Sequence, residues 1–174
     1  MTTGAIADKR QNRRPHWALC VALGTAVLFF PFRYIDCPAW DVWTLDRAGK
    51  PLTGITVRLS CRNYSADFAS HEENAITDGN GYAAFRAHYS RSSLAQRILV
   101  TARSAATGVH GSFGPHANVI AFGRGLQGVN VDRYRNIVIE WTGKPAHMES
   151  QIVLEPVVPI PPVPRRHVNE PFSH

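Results

Sequence analysis

Histidine is the residue type here best suited to acid–base or metal chemistry, and the eight histidines of this 174-residue chain are scattered along it. His110 and His116 come nearest to a ligand pair. They bracket Gly111-Ser112-Phe113-Gly114-Pro115, a loop composition, whereas zinc asks for three or four Cys or His ligands at characteristic spacing. Glu72, Glu73 and Asp78 offer oxygens for calcium near one turn, but they are too few for a closed coordination shell. Gly123-Arg124-Gly125-Leu126-Gln127-Gly128 has dinucleotide-loop spacing without the strand–loop–helix context that gives it meaning, so it reads as a flexible loop. No nucleophile elbow, phosphate-binding loop, His-Glu-x-x-His or paired Cys-x-x-Cys occurs. The residues therefore predict no catalytic, cofactor-binding or metal-ligating set.

The positioning elements begin with Trp17 to Phe32, an uncharged apolar run directly behind Lys9, Arg10, Arg13 and Arg14. A full span needs roughly 20 apolar residues. Tyr34 and Ile35 extend the run, and Arg33 can reach its head toward the phosphates. Residues 17–35 are expected to form a transmembrane signal anchor and residues 1–16 its basic cytoplasmic leader. A cleaved signal peptide competes with this, although bulky Phe29, Phe30 and Phe32 stand where small residues would be wanted. The basic leader orients the rest of the chain to the extracytoplasmic side of the inner (plasma) membrane, the periplasm.

That address bears on the three cysteines. Cys20 lies inside the apolar run. Cys37 and Cys61 fall on the exported side, where oxidising conditions favour a disulfide between them. The formal charge of +6 owes much to the leader and to Arg165 and Arg166 near the C-terminus. A nucleic-acid binder concentrates cations on one folded face, so no nucleic-acid partner is expected.

Residues 36–156 read as one domain, broken at short intervals by Gly, Pro, Asn and Asp. Alternation marks strands at 40–46, 55–61, 72–77, 82–87, 97–103, 108–113, 118–123, 136–142 and 150–155. Ile55, Val57, Leu59 and Cys61 share one face. The first two strands are expected to form a hairpin that sets Cys61 near Trp40, and Asp78-Gly79-Asn80-Gly81 signals a second hairpin. Trp40, Trp43, Tyr82, Phe85, Phe122 and Trp141 are the candidate core aromatics. Many short strands favour a sandwich or barrel. The tail, residues 157–174, is proline-rich and should be extended, and Pro161, Pro164 and Arg166 fit the spacing that aromatic grooves read.

Asp46, Gly49-Lys50-Pro51, Gly54, the strand Ile55–Leu59 and Thr77-Asp78-x-x-Gly81-x-x-x-Phe85 form a pattern over residues 42–85. It resembles the opening of transthyretin-like and carboxypeptidase-regulatory-like domains, and bacterial Ig-like adhesin domains are similar over the same span. The resemblance implies an Ig/transthyretin-like β-sandwich. One such family, the transthyretin-like 5-hydroxyisourate hydrolases, has a catalytic His where this chain has Trp43 and an Arg where it has Tyr82. It ends in Tyr-Arg-Gly-Ser, whereas here Tyr134-Arg135-Asn136 lies well before the end. That activity is not carried over.

The expectation is thus an all-β sandwich of about seven to nine strands behind one N-terminal transmembrane helix. Its expected role is a non-catalytic binding or accessory module without cofactor, partnered by the membrane and another envelope protein. The alternatives are a carbohydrate-binding module, which would show solvent-facing Trp or Tyr, and an enzyme of unrecognised type using His110, His116, Arg124 or Asp132.

Overall fold

The computed structural model describes residues 16–132 and 137–157. In chain order these form α1 (His16–Phe29), β1 (Phe32–Cys37), β2 (Ala39–Leu45), β3 (Thr56–Asn63), β4 (His71–Ile76), β5 (Tyr82–Phe85), β6 (His88–Ser92) and α2 (Leu94–Ala105). A 3-10 turn (Gly108–His110) leads into β7 (Pro115–Gly123), β8 (Leu126–Val129), β9 (Val131–Asp132), β10 (Ile137–Val138), β11 (His147–Val153) and β12 (Glu155–Pro156).

Alternation builds the β-rich, sandwich-like body. Val57, Leu59 and Cys61 of β3, Ala117, Val119 and Ala121 of β7, and Trp40, Val42 and Thr44 of β2 all turn inward. The larger sheet runs β12-β8-β7-β3-β4 and the smaller β11-β2-β5, with β1-β6 and β9-β10 as two-stranded ribbons. One core joins Trp40, Val42, Phe85 and Ile152 to Val57, Leu59, Val119 and Ala121. Each large apolar side chain buried there contributes roughly 1.5–3 kcal/mol. Trp40 Nε1 donates to Ser150 Oγ at 2.9 Å, which satisfies the polar atom of the buried indole.

The expected disulfide is present: Cys37 and Cys61 are bonded, with Cα atoms 5.6 Å apart. Its context differs from expectation, because it ties β1 to β3. Strands β2 and β3 do not form a hairpin. β2 lies between β5 and a parallel β11, while β3 lies between β4 and β7 in the other sheet. Asp46 Oδ1 accepts from the Ala48 and Lys50 N–H groups, so the chain turns across the core rather than back along itself.

The Asp78 turn forms, with Gly81 N–H donating to Asp78 O at 3.0 Å, but it too is an arch. β4 and β5 belong to different sheets. Gly81 has φ +72°, and a Cβ there would lie 2.6 Å from the Thr44 carbonyl oxygen, so only glycine fits the corner.

Three further expectations are corrected. Residues 97–103 lie in α2, where helix formers run from Leu94 to Ala105 and the Ser93 side chain caps the start by accepting from Gln96 N–H. The stretch 108–113 holds the 3-10 turn, and among the described residues of 136–142 only Ile137–Val138 is strand, with Trp141 bridging to Ala117. Among the aromatics Trp40, Phe85 and Trp141 are buried, whereas Trp43, Tyr82 and Phe122 alternate onto outer faces.

The span expected over 17–35 is not found. Among the described residues no helix is long and apolar enough to cross a membrane. α1 has 14 residues, and at 1.5 Å each that is about 21 Å against a hydrocarbon core of about 30 Å. Pro31 closes it, and Phe32–Cys37 is drawn into β1 by pairing with β6. α1 is nonetheless apolar on every side and buries none of its residues.

Candidate functional site

The outward face of the smaller sheet gathers the groups with most chemical potential. His147, Glu149 and Gln151 of β11, Asp41 and Trp43 of β2, and Tyr82 of β5 all point away from the core. Register sets them in rows: Glu149 opposite Asp41 opposite Ala84, then Gln151 opposite Trp43 opposite Tyr82. The Trp43 and Tyr82 rings lie side by side, centroids 5.4 Å apart. Tyr82 Oη donates to Asp41 Oδ1 at 2.6 Å. That bond to the carboxylate, helped by burial, raises the phenol above its ordinary pKa.

His147 Nε2 lies 3.1 Å from Asp41 Oδ2 and 3.9 Å from Glu149 Oε1. One donor atom from each residue falls within 4.8 Å of the others, the spacing of a divalent-cation ligand set. Sequence reasoning missed this group. His147-x-Glu149 places two donors on one strand face, which is legible, but Asp41 arrives through parallel pairing across more than a hundred residues.

The same face runs down β11 into a cleft. Gln151 and Val153 border an open cavity of about 950 Å³, walled by Ile120, Phe122, Gln127 and Val129. Arg47 and Glu155 pair at 3.3 Å on its rim. The register of β3 puts Thr56 opposite Phe122 and Cys61 opposite Ala117, so the cleft and the disulfide occupy opposite ends of the body.

A second polar cluster lies near the disulfide. Asp36 is buried, and its Oδ2 lies 3.2 Å from both His88 Nδ1 and Ser90 Oγ. The His88 ring stacks on His71, centroids 4.5 Å apart. Tyr34 Oη donates to Asp67 Oδ1, and Asp67 Oδ2 accepts from Asn63 N–H at 2.9 Å. Burial raises both the Asp67 carboxyl and the Tyr34 phenol above their ordinary values, and the contact with Asp67 raises Tyr34 further.

The residues considered for an enzyme are not brought to one place. His110 lines a small cavity with Asp67, and His116 lines another, where its Nδ1 lies 3.4 Å from Glu140. Arg124 sits in the turn between β7 and β8, and Asp132 is on β9. Glu72 pairs with Arg58 at 3.6 Å, while Asp78 accepts from Asn80 and Tyr82 N–H groups in its own turn. Pro161, Pro164 and Arg166 lie outside the described residues, as does the basic leader up to Pro15.

No protein-family model matches the chain, and no curated protein matches it. Among solved structures it is similar to 3-chlorocatechol 1,2-dioxygenase from Rhodococcus opacus 1CP, at 14% identity and TM-score 0.41, covering 70% of this chain and 61% of that one. It is also similar to wild-type catechol 1,2-dioxygenase of Acinetobacter radioresistens, at 14% identity and TM-score 0.36, covering 76% and 57%. The chain thus spans about three fifths of the length of those proteins. Both are named as enzymes, which runs against the expectation of a non-catalytic chain. Likeness at this level passes no activity or residue role to this protein.

Proposed function

We propose that the protein is a membrane-attached, extracytoplasmic binding module, with a transthyretin-like sandwich for a body and an envelope protein for a partner. α1 enters the inner membrane behind the basic leader and holds the body on the periplasmic side. The observation that carries this reading is the pairing of a predominantly apolar α1, none of whose residues is buried, with a cleft at the far end of the body. A helix apolar all round belongs in a protein core or in lipid. Cys37 and Cys61 anchor the helix end of the body, so the cleft bordered by Phe122, Gln127, Val129 and Gln151 faces away from the membrane. Cavities of this size hold ligands or peptide side chains.

Two measurements test the reading. Protease added to intact spheroplasts should digest the body without lysis; digestion only after lysis rejects the address. A photo-crosslinker at Val129 should capture one envelope protein that the same probe at Ala69, exposed at the disulfide end, does not. Equal capture at both positions rejects the cleft as the binding surface.

A second reading rests on Trp43 and Tyr82. Neighbouring part-exposed aromatic rings beside Asp41 and Gln151 suit the stacking and hydrogen bonding of a sugar. Saccharide binding lost in Trp43→Ala with the fold intact would favour it over a protein partner.

A further inference from the structure

The second helix is built inside out. α2 docks on the body through polar side chains: Gln96 Nε2 donates to Ala66 O at 2.8 Å, and Ser104 Oγ donates to Tyr64 O at 3.0 Å. Val100 is its only buried residue. Its apolar side chains look outward instead, with Ile98 64% and Leu99 60% exposed. A surface helix of a water-soluble body turns that stripe to the core.

α2 packs beside α1, and the β1-β6 ribbon connects to both, since β1 follows α1 and β6 precedes α2. In that ribbon Arg33 lies directly opposite Arg91, and both are exposed. Like charges placed opposite one another across a strand pair are destabilising. The Arg33 guanidinium stands 4.0 Å from the centre of the Tyr89 ring, which offsets part of that cost and leaves two cations aimed at solvent. Guanidinium forks match phosphate oxygens, and arginine and tyrosine together suit the headgroup level of a bilayer.

We propose that α2, the β1-β6 ribbon and the end of α1 form one bilayer-docking platform. Ile98 and Leu99 sit among the acyl chains, and Arg33 and Arg91 bind the phosphate of anionic phospholipid headgroups. The proposal rests on the reading that α1 enters the membrane and adds a second, lipid-selective contact to it. The apolar face continues α1, and its cations complement an anionic leaflet. The α1–α2 end of the body is therefore held close against the membrane.

The test uses the full chain in a Cys20→Ser background, reconstituted into phosphatidylcholine vesicles with or without phosphatidylglycerol. A fluorophore is attached at Leu99→Cys or, as control, at Ala84→Cys on the outward side of β5. Near-ultraviolet circular dichroism checks that each labelled chain is folded. Lipids carrying a shallow quencher should quench the label at 99 and leave that at 84 bright. Phosphatidylglycerol should strengthen the quenching. Arg33→Gln and Arg91→Gln should each lower the docked-to-undocked ratio on those vesicles about five-fold. If the chain stays with vesicles through an alkaline wash and label 99 remains bright, the platform is wrong and the α1 reading stands. If label 99 is quenched but the wash strips the chain, the platform stands and α1 insertion fails. If the chain never associates with vesicles, both are wrong. Quenching indifferent to phosphatidylglycerol and to the arginine substitutions removes the phosphate site.

Discussion

The Tyr34 hydroxyl donates to the Asp67 carboxylate, joining β1 to the loop whose Ala66 carbonyl receives Gln96 of α2. Two segments distant in sequence are thereby locked to the helix that rests on them. The bond leaves an acid in a part-buried place, which has a consequence for pH.

Asp67 titrates above its ordinary value of 3.8, chiefly because burial penalises its charged form. The folded state therefore holds a proton that the unfolded state releases. Stability from this group is full below about pH 3.8 and falls as pH rises through the raised native value. Relative to Asp67→Asn, the native protein should lose stability as pH rises from 3.8 through the raised native value. Urea melts of both proteins across that range check it, and a constant difference would contradict the assignment.

The Cys37–Cys61 bridge closes a loop of 24 residues. Replacing both cysteines with serine should lower unfolding free energy by about 3 kcal/mol. Denaturant unfolding of the oxidised protein against the double variant measures this directly.

Gly81 and Gly49 both have positive φ, +72° and +80°, but differ in surroundings. Gly49→Ala meets nothing within 4 Å and should cost only the backbone penalty, about 1–2 kcal/mol. Gly81→Ala strikes the Thr44 carbonyl and should cost about 1–3 kcal/mol more. Paired thermal melts give the comparison.

Trp40 and Trp43 stand three residues apart on one strand and so face opposite ways. Trp40→Phe removes the donor to Ser150 and leaves a buried hydroxyl without its partner, which should cost about 2–3 kcal/mol. Trp43→Phe should change stability by under about 0.5 kcal/mol, since it lies on the outer face. Chemical denaturation of the two variants separates these outcomes.

That pair also shows what could be read without coordinates. The inward face of Ile55, Val57, Leu59 and Cys61 followed from a period of two, and the same parity divides Trp40 from Trp43 and Tyr82 from Phe85. Grouping all of these as core overlooked information already in the spacing. Other features were illegible for a physical reason. An Asp-Gly-Asn-Gly corner has one local chemistry whether it closes a hairpin or carries the chain across a core. Arg97 to Arg103 satisfies both helical and strand patterns until the Ser93 cap decides. The Asp41–His147–Glu149 group depends on β2 and β11 pairing in parallel, a contact between chain ends that no local pattern encodes.

The position of the disulfide gives the body a load path. Tension applied at α1 reaches Cys37 after the short β1 strand and passes covalently into β3, which is flanked by neighbours on both sides. The β1-β6 ribbon can peel away under such a pull while the two sheets stay clamped. Oxidation thus shares a pull on the helix between β3, through the disulfide, and β2, through the main chain, whereas reduction would leave the path into β2 alone.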